Sequence, residues 1–143
     1  MFIAKALAEG RQAAQGCGAG EFGYQRAEQD QPDATMPLTI SSSFDAGNIR
    51  VVAIEGDRVD LEIVADHMSD FYQWFYFRVA GAAGREVTLR ITNCAASAYP
   101  NGWPDYKGVM SLDREEWVRI QGTSYSDGVL TMTLTPPQDV VWI

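Results

Sequence analysis

The sequence predicts an all-β protein, an antiparallel β-sandwich of about nine short strands with a poorly structured N-terminal segment. Three observations carry that expectation. Apolar and polar residues alternate with period two over several short runs. Clusters of Gly, Asp, Asn and Ser separate these runs at short intervals. Beyond residue 35, no stretch holds the longer apolar period of a helix.

The elements follow in order. Leu38 to Phe44 is a β-prone, Ser-rich first strand, closed by the turn cluster Asp45-Ala46-Gly47-Asn48. Ile49 to Ile54 is the second, and Glu55-Gly56-Asp57-Arg58 turns it back as a hairpin. Val59 to Val64 alternates strictly, with Val59, Leu61 and Ile63 on one face and Asp60 and Glu62 on the other, the mark of a half-buried strand. Gln73 to Val79 reads as the strongest strand in the chain. Gly81-Ala82-Ala83-Gly84 turns it into Arg85 to Asn93, where Val87, Leu89 and Ile91 alternate with Thr88, Arg90 and Thr92. Residues 94–105 form a loop around Tyr99-Pro100-Asn101-Gly102-Trp103-Pro104. Tyr106 to Ser111 and Glu116 to Gln121 are strands joined around Asp113-Arg114, where Asp113 with Glu116 also fits one helical turn. Tyr125-Ser126-Asp127-Gly128 is a turn, Leu130, Met132 and Leu134 alternate with threonines, and Val140 to Ile143 is a last apolar run after Pro136-Pro137.

Residues 1–35 read differently. They are rich in Ala, Gln and Gly, with a weak helical stretch from Phe2 to Gln15 and a linker-like end at Ala27 to Asp33. Met36-Pro37 opens the sandwich region, so 1–35 is either an ordinary N-terminal tail or a non-native extension, and 36–143 is the domain. The formal net charge of −8 disfavours binding to phosphate backbones and to anionic lipid, so neither nucleic acid nor membrane is an expected partner. No apolar run reaches the ~20 residues of a membrane-spanning helix. Cys17 and Cys94 are too few and too far apart for a disulfide framework and fit a reducing cytoplasm.

In the aromatic run Gln73-Trp74-Phe75-Tyr76-Phe77-Arg78-Val79, alternation puts Phe75, Phe77 and Val79 on one face and Trp74, Tyr76 and Arg78 on the other. The first set suits the core. The second is either an aromatic patch that meets a partner or a set of rings covered by the chain's own loops. The apolar end Val140-Val141-Trp142-Ile143 reads as a strand leading into further structure.

Catalytic patterns are missing. His67 is the single histidine, in the polar stretch Asp66 to Asp70, and reads as a solvated loop residue. There is no HExxH, CxxC or GxSxG spacing. Asp57, Asp60, Glu62 and Asp66 read as the wet face of a strand.

Several motifs together resemble one family. Ser43-Phe44-Asp45-Ala46-Gly47-Asn48-Ile49 resembles the F-E/D-x-G-N-L/I opening of the N-terminal domain of cytosolic carboxypeptidase-like zinc metallocarboxypeptidases. Gln73 to Val79, including Gln73, Trp74, Tyr76 and Arg78, is similar to that domain's aromatic signature. Asn93, Ser97 and Tyr99 resemble its N…S-x-Y segment, and Trp117 with Arg119 its W-x-R strand. Length and turn pattern look closer to bacterial members than to the eukaryotic tubulin-processing ones. Cys94-Ala95-Ala96 stands where larger or basic residues are usual in the family.

The resemblance implies an antiparallel sandwich packed against a following α/β catalytic domain, whose zinc is held by an HxxE motif and a later histidine. That domain is expected C-terminal to Ile143, so no catalytic or metal position is carried over and zinc is expected there rather than in this chain. The expected role is accessory, in a parent enzyme that removes C-terminal residues from peptides or proteins. A carbohydrate-binding sandwich is the competing reading, with Trp103 as the sugar platform or, alternatively, as a plug that holds its loop to the sandwich. A free-standing immunoglobulin-like interaction domain is a third.

Overall fold

A computed structural model of the chain describes residues 36–143. The weak helix and linker expected before residue 36 lie outside the described residues. Ten strands and two single 3₁₀ turns make up the described part, with no α-helix among them. The strands are β1 (Thr39–Ser41), β2 (Arg50–Glu55), β3 (Arg58–Glu62), β4 (Arg78–Ala80), β5 (Val87–Ile91), β6 (Val109–Met110), β7 (Val118–Arg119), β8 (Gly122–Ser126), β9 (Val129–Leu134) and β10 (Val140–Trp142). They form a five-stranded sheet of order β2-β3-β5-β9-β8, a three-stranded sheet of order β1-β4-β10, and a β6-β7 ribbon. The all-β class read from the alternation holds.

Alternation positions the core. In the five-stranded sheet, Leu61, Ile91 and Leu130 lie opposite one another across three strands, and Val59, Leu89 and Met132 form the next row. All six are fully buried. Val79 and Val141 of the three-stranded sheet, with Phe77 next to β4, belong to the same buried cluster, so the two sheets share one core. Burying a side chain of this size contributes about 1.5–3 kcal/mol.

Three details differ from the sequence reading. The β3–β5 pair is parallel, whereas every other pair is antiparallel. The connection from β3 passes through β4 in the other sheet before returning as β5, the kind of crossover that a parallel pairing requires. Next, Gly122–Ser126 is a strand paired along its length with β9, where the sequence shows only a turn near its end. Finally, the Asp113–Glu116 loop contains no helical turn. Asp113 Oδ1 instead accepts the backbone N–H groups of Glu115 at 2.8 Å and Glu116 at 2.9 Å, which holds the loop as a bend.

The strongest expected strand also proves shorter. Within Gln73 to Val79, only Arg78 and Val79 belong to β4, and Tyr76 makes an isolated bridge to Asn48. The run is bonded, but not to a continuous strand. Trp74 gives its carbonyl to the Asn48 side chain, and Tyr72 gives its carbonyl to Ala98 N–H. Just before Arg78, Phe77 exchanges both backbone bonds with Ile143. β propensity was high here, yet side chains and loop backbone took the ladder's place.

Candidate functional site

Three motif carboxamides act as backbone surrogates. The Asn48 side chain accepts from Val64 N–H at 3.0 Å and donates to the Val64 carbonyl at 3.1 Å and the Trp74 carbonyl at 3.2 Å. Asn93 does the same for the preceding residue, accepting from Ile63 N–H at 3.0 Å and donating to its carbonyl at 2.9 Å. Gln73 accepts from Tyr99 N–H at 2.6 Å and donates to the Tyr99 carbonyl at 3.1 Å. Asn48 and Asn93 thus continue β3 past its last residue by supplying the pairing that no neighbouring strand provides. Gly47 precedes the first of these clamps because any Cβ there would clash with the Ser42 carbonyl oxygen.

The clamps hold up an aromatic face. Residues paired directly across antiparallel strands share a side of the sheet, so Arg78 shares the outer side with Ser41 and Trp142. Tyr76, two residues before Arg78, lies on that side also. Phe44 meets the Tyr76 ring edge-on, with centroids 5.1 Å apart, and Trp117 leans on it at 6.0 Å. Arg114 stands 5.4 Å from the centre of the Trp142 ring and gives its carbonyl to the Trp117 indole N–H. Trp117 remains 40% exposed and Trp74 42% exposed, whereas Tyr76 is half-buried between its two neighbours. Both readings of the face therefore hold in part. The chain's own rings cover Tyr76, and Trp74 and Trp117 stay open to solvent. Sequence reasoning missed Trp142 and Arg114 on this face. Their place depends on β10 pairing with β4 and on the 112–117 loop folding over it, neither of which is visible in a local pattern.

Trp74 is held at the boundary of two hollows. Its indole N–H donates to Asp66 Oδ1 at 3.2 Å. One hollow, of about 250 Å³, is lined by Asn48, Asp66, His67 and Trp74. The other, of about 370 Å³, lies between Gln73, Trp74, Tyr99 and the rings of Phe75, Trp103 and Tyr106. Trp103 is only 2% exposed, stacks on Phe75 with centroids 6.4 Å apart, and donates its indole N–H to Ser97 Oγ at 2.8 Å. It plugs the 94–105 loop onto the sandwich and presents no ring face to a sugar, which removes the platform of the carbohydrate reading. Tyr99, by contrast, is 63% exposed on a backbone fixed by Gln73.

The titratable groups behave as structural ones. Burial pushes the Cys94 thiol up to about 11. Asp60 is held below the usual carboxylate range, first by its hydrogen bond from Arg58 and further by Arg90. Asp113 is lowered by the N–H groups of Glu116 and Glu115. His67 is exposed in its loop. Among the described residues, no group of three or more His, Cys, Asp or Glu is placed to hold a metal ion. No helix among them is long and apolar enough to cross a membrane.

The molecule so far is an all-β sandwich that presents a preorganised aromatic face. Its sequence matches the cytosolic carboxypeptidase N-terminal domain over residues 40–143. A curated protein of Zymomonas mobilis, itself uncharacterized, is 48% identical over 107 residues, covering 75% of this chain and 28% of that protein. The crystal structure of a metallo-carboxypeptidase from Burkholderia cenocepacia superposes with a TM-score of 0.70 at 40% identity, covering 73% of this chain and 28% of that one. A metallo-carboxypeptidase from Pseudomonas aeruginosa, solved in complex with (2-guanidinoethylmercapto)succinic acid, gives 0.69 at 35% identity over the same shares. The chain belongs to the cytosolic carboxypeptidase N-terminal domain family. It spans 28% of the length of these relatives.

Proposed function

We propose that this chain is the non-catalytic N-terminal domain of a zinc metallocarboxypeptidase, which packs on the catalytic domain and helps shape the path of a peptide or protein C-terminus to the metal. The observation that carries the proposal is the outer face of the β1-β4-β10 sheet. There Trp117 stays open beside the motif residues Phe44, Tyr76 and Arg78, on a domain that matches about a quarter of each related metallo-carboxypeptidase. Large exposed rings on a clamped, rigid support are what a domain interface uses. Asn48, Asn93, Gln73 and Gly47 then act by supporting that face, and Tyr99 is the side chain of the 94–105 loop available to the substrate entrance.

In this reading the catalytic domain carries the zinc, which would polarise the scissile carbonyl and activate water. Two measurements test it. The purified chain should hydrolyse no peptide C-terminus and hold no stoichiometric zinc by metal analysis, and one tightly bound zinc per chain would overturn the assignment. The coding sequence should continue past Ile143 into an HxxE motif, and a frame that lacks one would overturn the parentage.

A further inference from the structure

The charges on the described surface are sorted unevenly. Arg50, Arg58 and Arg90 lie on the outer side of the five-stranded sheet, and each pairs with a carboxylate of Asp60, Glu55 or Glu62. Arg85 pairs with Asp57. The other three described arginines, Arg78, Arg114 and Arg119, form no ion pair with any described residue. Two of them lie on the aromatic face and the third adjoins it. Arg78 stands opposite Trp142 in the ladder, Arg114 lies over the Trp142 ring, and Arg119 is exposed at the end of β7, two residues after Trp117. Glu115 and Glu116 stand in the neighbouring loop, yet neither is within ion-pair distance of Arg114. Asp113 is turned to Ser111 and to its own loop's N–H groups.

Among the described residues of an acidic chain of net charge −8, the guanidinium groups without an ion pair therefore gather around one set of open rings. We infer that this face docks a carboxylate-bearing surface, namely that of the catalytic domain in the same polypeptide, with Arg78, Arg114 and Arg119 taking its Asp or Glu side chains. The inference rests on the proposed parentage and adds the chemistry of the contact. Arg suits this role because its planar fork pairs carboxylates bidentately and lies on aromatic rings. The rest of the acidic surface repels such a partner, so charge also selects the docking orientation.

The test uses the full-length polypeptide and follows the rate of proteolytic cleavage between the two domains. Arg78→Glu with Arg119→Glu should raise that rate about tenfold or more, because reversal faces like charge with like. Raising salt from about 0.05 M to about 0.5 M should speed cleavage of the wild type and slow that of the double variant, because screening weakens attraction in the one and repulsion in the other. The control Arg50→Glu should cleave like the wild type. If the double variant cleaves at the wild-type rate at both salt levels while Trp117→Ala cleaves fast, the carboxylate partner is refuted and the docking face stands. If Trp117→Ala is also silent, the docking face falls with it.

Discussion

At the level of single residues, the motif positions are explained by what they hold. Asn48 and Asn93 satisfy both backbone groups of Val64 and Ile63, which no strand reaches. Replacing either with Ala leaves those groups unpaired next to the core, and each should cost about 1–3 kcal/mol in urea unfolding. Gln73→Ala, at an exposed contact, should cost less than about 1 kcal/mol. The sequence picked out these carboxamides as motif members but not as clamps, because their partners lie 16, 30 and 26 residues away. Cys94 makes a different prediction. Its thiol is raised from 9.0 to about 11 by burial, so the native state prefers the neutral form more than the unfolded chain does. Its contribution to stability is complete below about pH 9 and is lost as pH climbs toward about 11. In a Cys17→Ser background at about pH 8, an alkylating reagent should label Cys94 only as fast as the protein unfolds. Labelling at the rate of an unfolded thiol would contradict that environment.

Among the elements, burial separates the strands more sharply than propensity does. β5 lies in the middle of its sheet with Val87, Leu89 and Ile91 fully buried, and Leu89→Ala should cost about 2–5 kcal/mol. β2 is an exposed edge whose register slips at Val52, and Val52→Ser should change stability by no more than about 0.5 kcal/mol. Comparable denaturation midpoints for the two variants would show that the sheet is assembled differently. That slip, with Arg50 and Glu55 at the ends of the strand, also makes β2 a poor template for edge-to-edge pairing. β3, β5 and β9 were legible because one face of each is dry and the other wet. β8 was not, because Gly122-Thr123-Ser124-Tyr125-Ser126 has a single buried side chain, Thr123, and no apolar alternation. The aromatic run misled in the opposite sense. Its residues favour strand, yet the Asn48 amide, a long-range partner, ended the ladder at Tyr76.

For the molecule as a whole, the fold class and the outward-facing rings were readable from period-two patterning. The parallel pair and the contributions of Trp142 and Arg114 were not, since they depend on which strands become neighbours. If the aromatic face serves a second domain, Trp117 should matter little to this chain alone. Trp117→Ala should shift its unfolding free energy by less than about 1 kcal/mol, yet weaken association in the full-length polypeptide by about 2 kcal/mol or more. Equal losses in both settings would make Trp117 an ordinary packing residue. The order β1-β4-β10 has a further effect during synthesis. β4 pairs on one side with the earliest described strand and on the other with the latest. A ribosome delivers the chain from its N-terminus, so Phe77 and Val79 wait with one flank open until Val140 to Ile143 have left the exit tunnel. Those residues latch the second side of β4, so a nascent chain released before them should be a client for chaperones instead of a smaller folded domain.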